Sequence, residues 1–480
     1  MYIYMHLNEL TLKQTLDLLQ TKKISLKELY QDVEKAIEKS KDLNMYLALE
    51  KKPLEIAEKV KNLPLSGVPL AVKDNFLTIG LSTTASSNVL KGFMPPYEST
   101  VTSRLKKSGA VVIGKTNMDA WAHGSSTETS DFGSTKNPRN PNYLPGGSSG
   151  GSAAAVTADA CIAAIGSETA GSIRQPAAWC GCVGLKPTYG RVSRYGVVAM
   201  GSSLDCPGPL TKTVTDAAIL FHHIAGKDDH DGTTAKKDVP NLHNALQKGI
   251  KGFKIGLCYI DHPKLKGTPV AHAVENAGKV FERLGAHVDL VPLSEQLEDN
   301  KILSPDYSIG LYTVIQRGEV SSNLARYDGV RFGHTRSNFG TEAKRRIMLG
   351  TFTLSKGYAD KYYIWAQKVR TLYMNNFRQL FSKYDALVSS PSPGFALPHG
   401  ATKDNPMFGE LEDMLNEASS VSGLPAVSVP AYHDPKTNLY IGLNIMTNHW
   451  EEDTAMRIGY AFEQATQWNS WVSKNKSTNV

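Results

Sequence analysis

The sequence lacks the features that mark secreted, membrane-spanning and strongly nucleic-acid-binding proteins. Its five cysteines are odd in number and scattered over 480 residues, so they do not make the paired framework of a small disulfide-stabilised domain. It contains no run of 18 apolar residues, and residues 1–22 have no apolar stretch of the kind that a signal peptide needs. Lysine and arginine never form a block of five. We therefore expect a soluble, cytoplasmic protein whose cysteines act as small buried apolar side chains.

Charge and metal-binding signals are also weak. The formal net charge is +7 and the pI is about 8.9. Spread over the chain, this excess favours an ordinary solvated surface, although a basic face toward an RNA-bearing partner stays open. Cys180 and Cys182 have the spacing of neither a redox pair nor a zinc site, and the acidic loop 226–241 is out of EF-hand register. His222 and His223 have no further ligand at metal spacing, so the sequence predicts no metal site.

The order of segments predicts one large α/β domain over residues 1–480, with no internal repeat and no long linker. A hydrophobic content of 41% is enough for a large core. The capping box Ser25–Glu28 lies in an N-terminal helical segment, 1–60, and residues 300–380 form a mostly helical insertion. The other predicted elements are strand 66–73, helix 99–108, strand 110–114, helix 214–225, strand 253–260, helix 269–285, strands 286–293, 386–390, 426–430 and 439–446, and helix 451–466.

Two glycine-rich segments that contain serine are the most informative part of the chain. Residues 146–151 read GGSSGG and residues 166–172 read GSETAGS, with an alanine-rich segment between them that we expect to form a buried helix. Glycine lets other groups approach the backbone closely. Ser148 and Ser172 in such surroundings indicate hydroxyls and backbone N–H groups that converge on a reacting carbonyl.

Two familiar loop types fit these segments poorly. Residues 146–150 match the Gly-x-Ser-x-Gly nucleophile elbow, which needs a strand directly before it. Residues 136–145 contain three prolines, however, and prolines are excluded from central strands. Residues 166–171 have the glycine spacing of a phosphate-binding loop, but Ser172 and Ile173 stand where lysine and a hydroxyl residue are required. The sequence therefore favours neither an α/β-hydrolase elbow nor a nucleotide-binding loop.

A serine nucleophile without histidine is the third interpretation. A serine hydroxyl needs a neighbouring base, and a lysine serves when burial lowers its pKa enough to leave it neutral. Lys73 is the candidate because it ends the apolar strand GVPLAV (67–72), which would carry it into the interior. A lysine after a strand is ordinarily a surface charge, so this interpretation depends on the resemblance that follows.

The sequence resembles the amidase signature family in five segments: 67–76, 146–156, 166–181, 184–196 and 205–218. Four further segments are similar to the glutaminase subunits of tRNA-dependent amidotransferases within that family: 321–333, 344–358, 423–430 and 460–466. The resemblance covers nearly the whole chain. It implies the α/β amidase-signature fold, with a large mixed central β-sheet that helices cover on both faces.

The resemblance implies a Ser–cis-Ser–Lys catalytic triad. Ser172 matches the nucleophile, and Ser148 matches the bridging serine, whose preceding peptide bond is cis in the family. Lys73 matches the base that draws the proton of Ser172 through Ser148 and returns a proton to departing ammonia. Ser149, next to the bridging serine, is a candidate for supporting the substrate or for a hydrogen bond within the loop.

The resemblance also implies an oxyanion loop at Thr169, Ala170 and Gly171, whose backbone N–H groups would hold the tetrahedral oxygen. The family usually has glycine where Ala170 stands. That change would strain the loop if the position needs a positive φ and would be silent otherwise. Glu168 replaces the commoner aspartate. Arg174 is expected to anchor the loop through a buried ion pair.

A pocket for free glutamine needs one arginine for the carboxylate and one acid for the ammonium group. Arg346 matches the family's carboxylate-binding position, within the run Lys344-Arg345-Arg346. Asp413 matches the ammonium-binding position when counted back from Gly423. Residues 404–418 depart from the family pattern, so Glu410 and Glu412 are the alternatives to Asp413, and a surface helix charge is the other interpretation.

The implied function is the glutaminase subunit of an amidotransferase that converts Glu-tRNA(Gln), Asp-tRNA(Asn) or both. The chain itself needs no cofactor, and ATP and Mg²⁺ are used by the partner subunit. The implied assembly is a heterotrimer with the amidotransferase B and C subunits, which meets the misacylated tRNA, with no membrane partner. The alternatives are a stand-alone amidase acting on another small amide and an inactive scaffold subunit. The choice between the two tRNA products stays open.

Overall fold

One mixed β-sheet organises the molecule. The structure, a computed structural model, describes residues 6–291, 304–330, 333–405 and 407–477. In these residues the sheet has eleven strands in the order β1-β3-β2-β4-β6-β5-β10-β11-β9-β7-β8. The strands are β1 (Tyr46–Leu49), β2 (Pro69–Lys73), β3 (Val111–Thr116), β4 (Ala163–Glu168), β5 (Val183–Lys186), β6 (Cys206–Thr211), β7 (Lys254–Cys258), β8 (His287–Val291), β9 (Ala386–Ser389), β10 (Ala426–Asp434) and β11 (Leu439–Met446).

The helices connect these strands and cover them. They are α1 (Leu12–Gln20), α2 (Leu26–Lys39), α3 (Pro53–Val60), α4 (Thr100–Lys107), α5 (Gly150–Thr157), α6 (Arg174–Cys180), α7 (Val214–Ile224), α8 (Leu242–Ala245), α9 (Pro269–Arg283), α10 (Pro305–Leu324), α11 (Thr341–Leu354), α12 (Trp365–Phe381), α13 (Phe408–Val421), α14 (Glu452–Ala465) and α15 (Ser470–Ser477). Within the described ranges, none of them is long and apolar enough to cross a membrane.

The strands alternate their side chains between two helical layers, because successive strand residues point to opposite faces. Val427 of β10 and Ile445 of β11, which pair across the ladder, pack with α7, α9 and α14. Their neighbours Ala426 and Met446 pack with α10, α12 and α13. The sheet is therefore covered on both faces, as the resemblance implies.

Parallel pairing of β2 and β4 creates the edge on which the site is built. Leu70 pairs with Ala163, and Val72 pairs with Ile165. Because parallel strands end at the same edge of a sheet, Lys73 at the end of β2 comes next to the end of β4. The chain then turns from β4 directly into α6, so a short loop stands over this edge.

Most of the predicted elements are present with small shifts at their ends. Helix α4 begins at the N-cap Ser99, and Thr268 caps α9, as the sequence predicts. The predicted strand 286–293 is β8, and residues 292 and 293 lie outside the described ones. Strand β10 continues to Asp434, four residues beyond its predicted end. Four strands and one long helix were not predicted: β1, β4, β5, β6 and α13.

The cysteines and the alanine-rich segment agree with their predictions. All five cysteines are buried and free of disulfide bonds. The alanine-rich segment forms α5, in which every residue is buried. The proline-rich lead-in 136–145 contains no strand, which removes the elbow interpretation.

Candidate active site

Lys73 is buried at the end of β2, with its amine directed at the first serine loop. Its Nζ lies 2.8 Å from Oγ of Ser148 and 2.9 Å from the backbone oxygen of Ser167. Burial lowers the pKa of Lys73 to about 7, against the opposing charges of the surrounding acids, of which Asp119 is the strongest. An amine with this pKa is substantially neutral at physiological pH, so it can accept a proton.

The backbone on both sides of Ser148 is fixed as well as its side chain, whose Oγ accepts from Lys73. The Gly147–Ser148 peptide bond is cis, as the resemblance implies. The backbone N–H of Gly147 donates to Oε1 of Gln175 at 2.9 Å. A Cβ at position 147 would stand 2.0 Å from Oδ2 of Asp119, so only glycine lets this carboxylate come so close.

Ser172 lies in the loop between β4 and α6, and this loop contacts the first serine loop. The backbone N–H of Ser149 donates to the carbonyl of Ser172 at 3.1 Å. The hydroxyl of Ser149 also donates to the carbonyl of Ser167 at 3.1 Å, so this side chain makes a hydrogen bond within the site's own loops. In the described residues no hydrogen bond joins the Ser172 and Ser148 side chains directly. The two hydroxyls nevertheless belong to loops that are fastened to each other.

A buried ion pair shapes the Ser172 loop. Glu168, the last residue of β4, accepts from Nε of Arg174 at 2.8 Å, and both side chains are fully buried. Its other oxygen accepts from the backbone N–H groups of Ile173 and Arg174, at 3.0 and 3.1 Å. One carboxylate therefore caps α6 and closes the loop into a tight turn. This confirms the expected buried ion pair of Arg174.

Ala170 fits the loop without strain. It does not have a positive φ, so the substitution of the family's glycine costs nothing in the backbone. Its methyl group belongs to an apolar cluster with Leu204 and Leu424. Its carbonyl accepts from Nη2 of Arg174 at 3.0 Å and from the Ser420 hydroxyl. The alanine therefore introduces no backbone strain at this position.

The backbone N–H groups of this loop are available to a ligand. In the described residues no hydrogen bond occupies the N–H of Thr169, Ala170 or Gly171. The side chain of Thr169 donates to Oδ1 of Asp205 at 2.8 Å, which holds the loop from the other side. Burial raises the pKa of Asp205 to about 6. The arrangement leaves unpaired N–H donors in the loop that the sequence predicts to hold the oxyanion.

Asp413 lies directly beside this loop, on α13. A Cβ at Gly171 would stand 2.1 Å from Oδ1 of Asp413, so the carboxylate is packed against the glycine backbone. Oδ2 accepts from the Ser125 hydroxyl at 2.7 Å, whereas Oδ1 is buried and has no partner in the described residues. Burial raises the pKa of Asp413 well above its ordinary value. A buried carboxylate oxygen without a donor is the kind of group that a cationic ligand would satisfy.

The alternatives to Asp413 have other surroundings. Oε1 of Glu410 accepts from Nη2 of Arg317 at 2.9 Å, whereas its Oε2 has no partner in the described residues. Glu412 is partly exposed, and burial raises its pKa to about 7. Of the three acids, Asp413 alone contacts the loop that contains Ser172.

Arg346 lies on α11 between two acids. Its Nε donates to Glu342 at 2.5 Å, and its Nη2 lies 3.7 Å from Glu410. Because of these acids the pKa of Arg346 stays above its ordinary value despite burial. Neither Nη atom makes a hydrogen bond in the described residues, so donors remain for a carboxylate. The neighbouring Arg345 is partly exposed and pairs with Glu342 alone.

Several residues of the site were missed by the sequence reasoning. They are Asp119, Ser125 and Gln175, which connect the cis peptide, the second serine loop and Asp413, and the buried His123. Residues 123–127 (HGSST) precede the first serine loop by about twenty positions and carry no spacing that separates them from an ordinary polar turn. The described residues contain no group of three or more metal-ligating side chains that could hold an ion.

Comparison with known proteins agrees with this geometry. The sequence matches the model of the family Amidase over residues 28–456. The chain is 47% identical to the A subunit of a glutamyl-tRNA(Gln) amidotransferase from Lachnospira eligens, over 89% of this chain and 92% of that one. It is 48% identical to the protein of the same name in Thermosynechococcus vestitus, over 84% and 85% of the two chains. The crystal structure of the corresponding A subunit from Thermotoga maritima superimposes with a TM-score of 0.80 at 37% identity, covering 97% of this chain and 96% of that one.

Proposed function

The chain belongs to the amidase family, and from this premise we propose that it is the glutaminase subunit of a tRNA-dependent amidotransferase. It hydrolyses glutamine and delivers the ammonia to a partner subunit, which amidates Glu-tRNA(Gln), Asp-tRNA(Asn) or both. The observation that carries the proposal is the pair formed by Lys73 and Ser148. A buried amine with a pKa of about 7, 2.8 Å from a serine hydroxyl, is a base prepared for proton transfer.

The reaction begins with proton transfer along the triad. Neutral Lys73 takes the proton of Ser148, and Ser148 takes the proton of Ser172. At the same time Oγ of Ser172 attacks the amide carbon of glutamine. The carbonyl π electrons move to the oxygen. The N–H groups of Ala170 and Gly171 stabilise that oxyanion, each by about 3 kcal/mol.

Collapse of the tetrahedral intermediate breaks the C–N bond. The proton held by Lys73 returns through Ser148 to the leaving nitrogen, so that neutral ammonia departs. A γ-glutamyl ester remains on Ser172. Water then attacks this ester with the same base, which releases glutamate and restores the hydroxyl of Ser172.

The rest of the glutamine molecule is bound by two opposite charges. Oδ1 of Asp413 receives the ammonium group, and the free Nη donors of Arg346 receive the carboxylate. Glu410 connects the two positions, since it lies one turn from Asp413 on α13 and 3.7 Å from Arg346. This pairing selects a free amino acid over a simple amide.

The remaining steps of the overall reaction are assigned to partner subunits. Under this proposal ATP, Mg²⁺ and most tRNA contacts belong to the B subunit of a heterotrimer whose third member is the C subunit. Large apolar side chains stand exposed on α11 and α12, among them Met348, Phe352 and Trp365, which are 72%, 49% and 59% exposed. An exposed apolar face of this kind is typical of a surface that a second protein chain covers, which supports the proposed assembly.

Trapping of the acyl-enzyme tests the proposal. With glutamine and hydroxylamine, the assembled enzyme should form γ-glutamyl hydroxamate, because hydroxylamine competes with water for the ester. Glutaminase activity should be weak in the isolated chain and should rise with the partner subunits, ATP and charged tRNA. Rapid partner-free hydrolysis of unrelated amides would identify a stand-alone amidase, and the absence of any hydrolysis would identify a scaffold.

A further inference from the structure

The loop 119–129 contains a buried histidine that the triad and the charged pair do not use. His123 is fully buried, and neither Nδ1 nor Nε2 has a hydrogen-bond partner in the described residues. Buried imidazoles ordinarily satisfy at least one ring nitrogen. The two unpaired nitrogens of His123 therefore indicate a ligand with complementary polar atoms.

The loop on both sides of His123 is tightly held. Trp121 packs on Phe339 with ring centroids 5.2 Å apart, and it shares an apolar cluster with Ala343, one turn before Arg346 on α11. On the other side the Thr129 hydroxyl donates to the carbonyl of His123 at 3.1 Å. These contacts determine where the ring lies.

The residues that follow His123 lie near Arg346 and Asp413. A Cβ at Gly409 would stand 3.6 Å from Cα of Gly124, the neighbour of His123, and 3.7 Å from Nη2 of Arg346. Ser125, two residues after His123, donates to Asp413 at 2.7 Å. His123 thus lies where α11 and α13 bring the two charged groups of the glutamine site together.

The charge state of the ring follows from its surroundings. Burial, and then the positive charges of Arg346 and Arg317, hold the pKa of His123 well below its ordinary value. The ring is therefore neutral and carries one N–H donor. An N–H group whose surroundings include two guanidinium charges is best satisfied by an anion, which those guanidinium ions also attract.

We propose that the imidazole of His123 donates a hydrogen bond to the α-carboxylate of the bound glutamine, alongside Arg346. The inference rests on the proposed glutaminase function and adds a specificity-determining residue to it. His123 does not touch the reacting amide, so its contribution belongs to substrate binding. With this hydrogen bond, the pocket recognises the carboxylate by its shape and its hydrogen-bonding geometry as well as by its charge.

The test removes the carboxylate from the substrate and the imidazole from the enzyme. The assembled enzyme would be assayed with glutamine and with 4-aminobutanamide, which is glutamine without its α-carboxylate. His123→Leu should lower kcat/KM for glutamine about 30-fold, mainly through KM, because a hydrogen bond to a charged group is lost. Its kcat/KM for 4-aminobutanamide should stay within about twofold of the wild-type value.

Two further variants separate the contact from loop damage. His123→Asn keeps an N–H donor and should recover most of the glutamine activity. Met118→Leu, a buried apolar change directly before this loop, should affect both substrates equally. The melting temperatures of all variants would be compared with that of the wild type. If the leucine variant does not fold, the asparagine variant provides the measurement.

The outcomes separate the two proposals. Suppose that the wild-type enzyme hydrolyses glutamine, but that His123→Leu changes kcat/KM for both substrates by the same factor or leaves both values unchanged. His123 is then a structural residue, and the inference is overturned. If the wild-type enzyme does not hydrolyse glutamine, the proposed function fails and the role of His123 fails with it. A loss confined to glutamine supports both.

Discussion

The carboxylate of Asp413 occupies the space in which any side chain at Gly171 would stand. The distance from Oδ1 to that Cβ position is 2.1 Å, so the two residues are compatible only because position 171 is glycine. Gly171 precedes Ser172, and Asp413 lies on a helix that follows it by more than two hundred residues. The contact joins the chemistry of the serine loop to the site proposed for the glutamine ammonium group.

Replacement of Asp413 tests that connection. We expect Asp413→Asn to raise KM for glutamine at least about tenfold, because the amide removes the charge that pairs with the ammonium group. Glu412→Gln is the matched control, since Glu412 is partly exposed and does not contact the loop; its KM should stay within about twofold. Steady-state kinetics with the assembled enzyme measures both, and the reverse order of effects would assign the role to Glu412.

The nucleophile is tested by Ser172→Ala. This variant should lose at least about a thousandfold in kcat for glutamine hydrolysis while it keeps its partner subunits, because only the attacking oxygen is removed. Ser103→Ala, on α4, is the control and should retain full activity. Normal hydrolysis by the Ser172 variant would disprove the assignment.

The base is tested by pH dependence. Because burial lowers the pKa of Lys73 to about 7, the amine is protonated below that pH and neutral above it. The value of kcat/KM should therefore rise about tenfold per pH unit below pH 7 and level off above pH 8. Lys73→Arg stays protonated and should be inactive throughout. A wild-type profile that is flat between pH 5 and 9 would speak against a lysine base.

The carboxylate site is tested within the run of three basic residues. We expect Arg346→Ala to raise KM for glutamine about 30-fold, and far more than Lys73→Ala does, because a charged contact to the substrate disappears. Arg345→Ala is the control, since Arg345 is partly exposed and pairs only with Glu342. An unchanged KM in the Arg346 variant would remove this residue from the pocket.

The ion pair of the serine loop is tested by stability. Glu168→Gln leaves Arg174 buried without a counter-charge, so we expect the free energy of unfolding to fall by about 3–5 kcal/mol. Glu55→Gln, at the exposed pair with Lys52, should change it by less than about 0.5 kcal/mol. Urea denaturation monitored by circular dichroism gives both values, and equal effects would show that the burial of Arg174 is unimportant.

Much of the fold was predictable because its elements carry local signals. The N-caps Ser99 and Thr268 and the apolar strands 426–430 and 439–446 follow from patterns within a few residues. Strand β4 was missed because its six residues are all buried, so apolar and polar positions do not alternate along it. The burial of helix α13 was missed because its acids resemble those of an exposed surface, whereas Glu410, Asp413 and Glu417 are all buried.

What the sequence by itself determined is the chemical inventory: a lysine after an apolar strand, two serines among glycines, and the family to which this pattern belongs. Tertiary structure alone decided that Lys73 meets Ser148, that Asp413 rather than Glu410 or Glu412 contacts the serine loop, and that His123 is buried within the influence of the Arg346 charge. The physical reason is that contacts and pKa values depend on burial and on long-range chain closure. The parallel pairing of β2 with β4 buries Lys73 and brings distant parts of the chain together at the site. No local sequence pattern encodes that pairing.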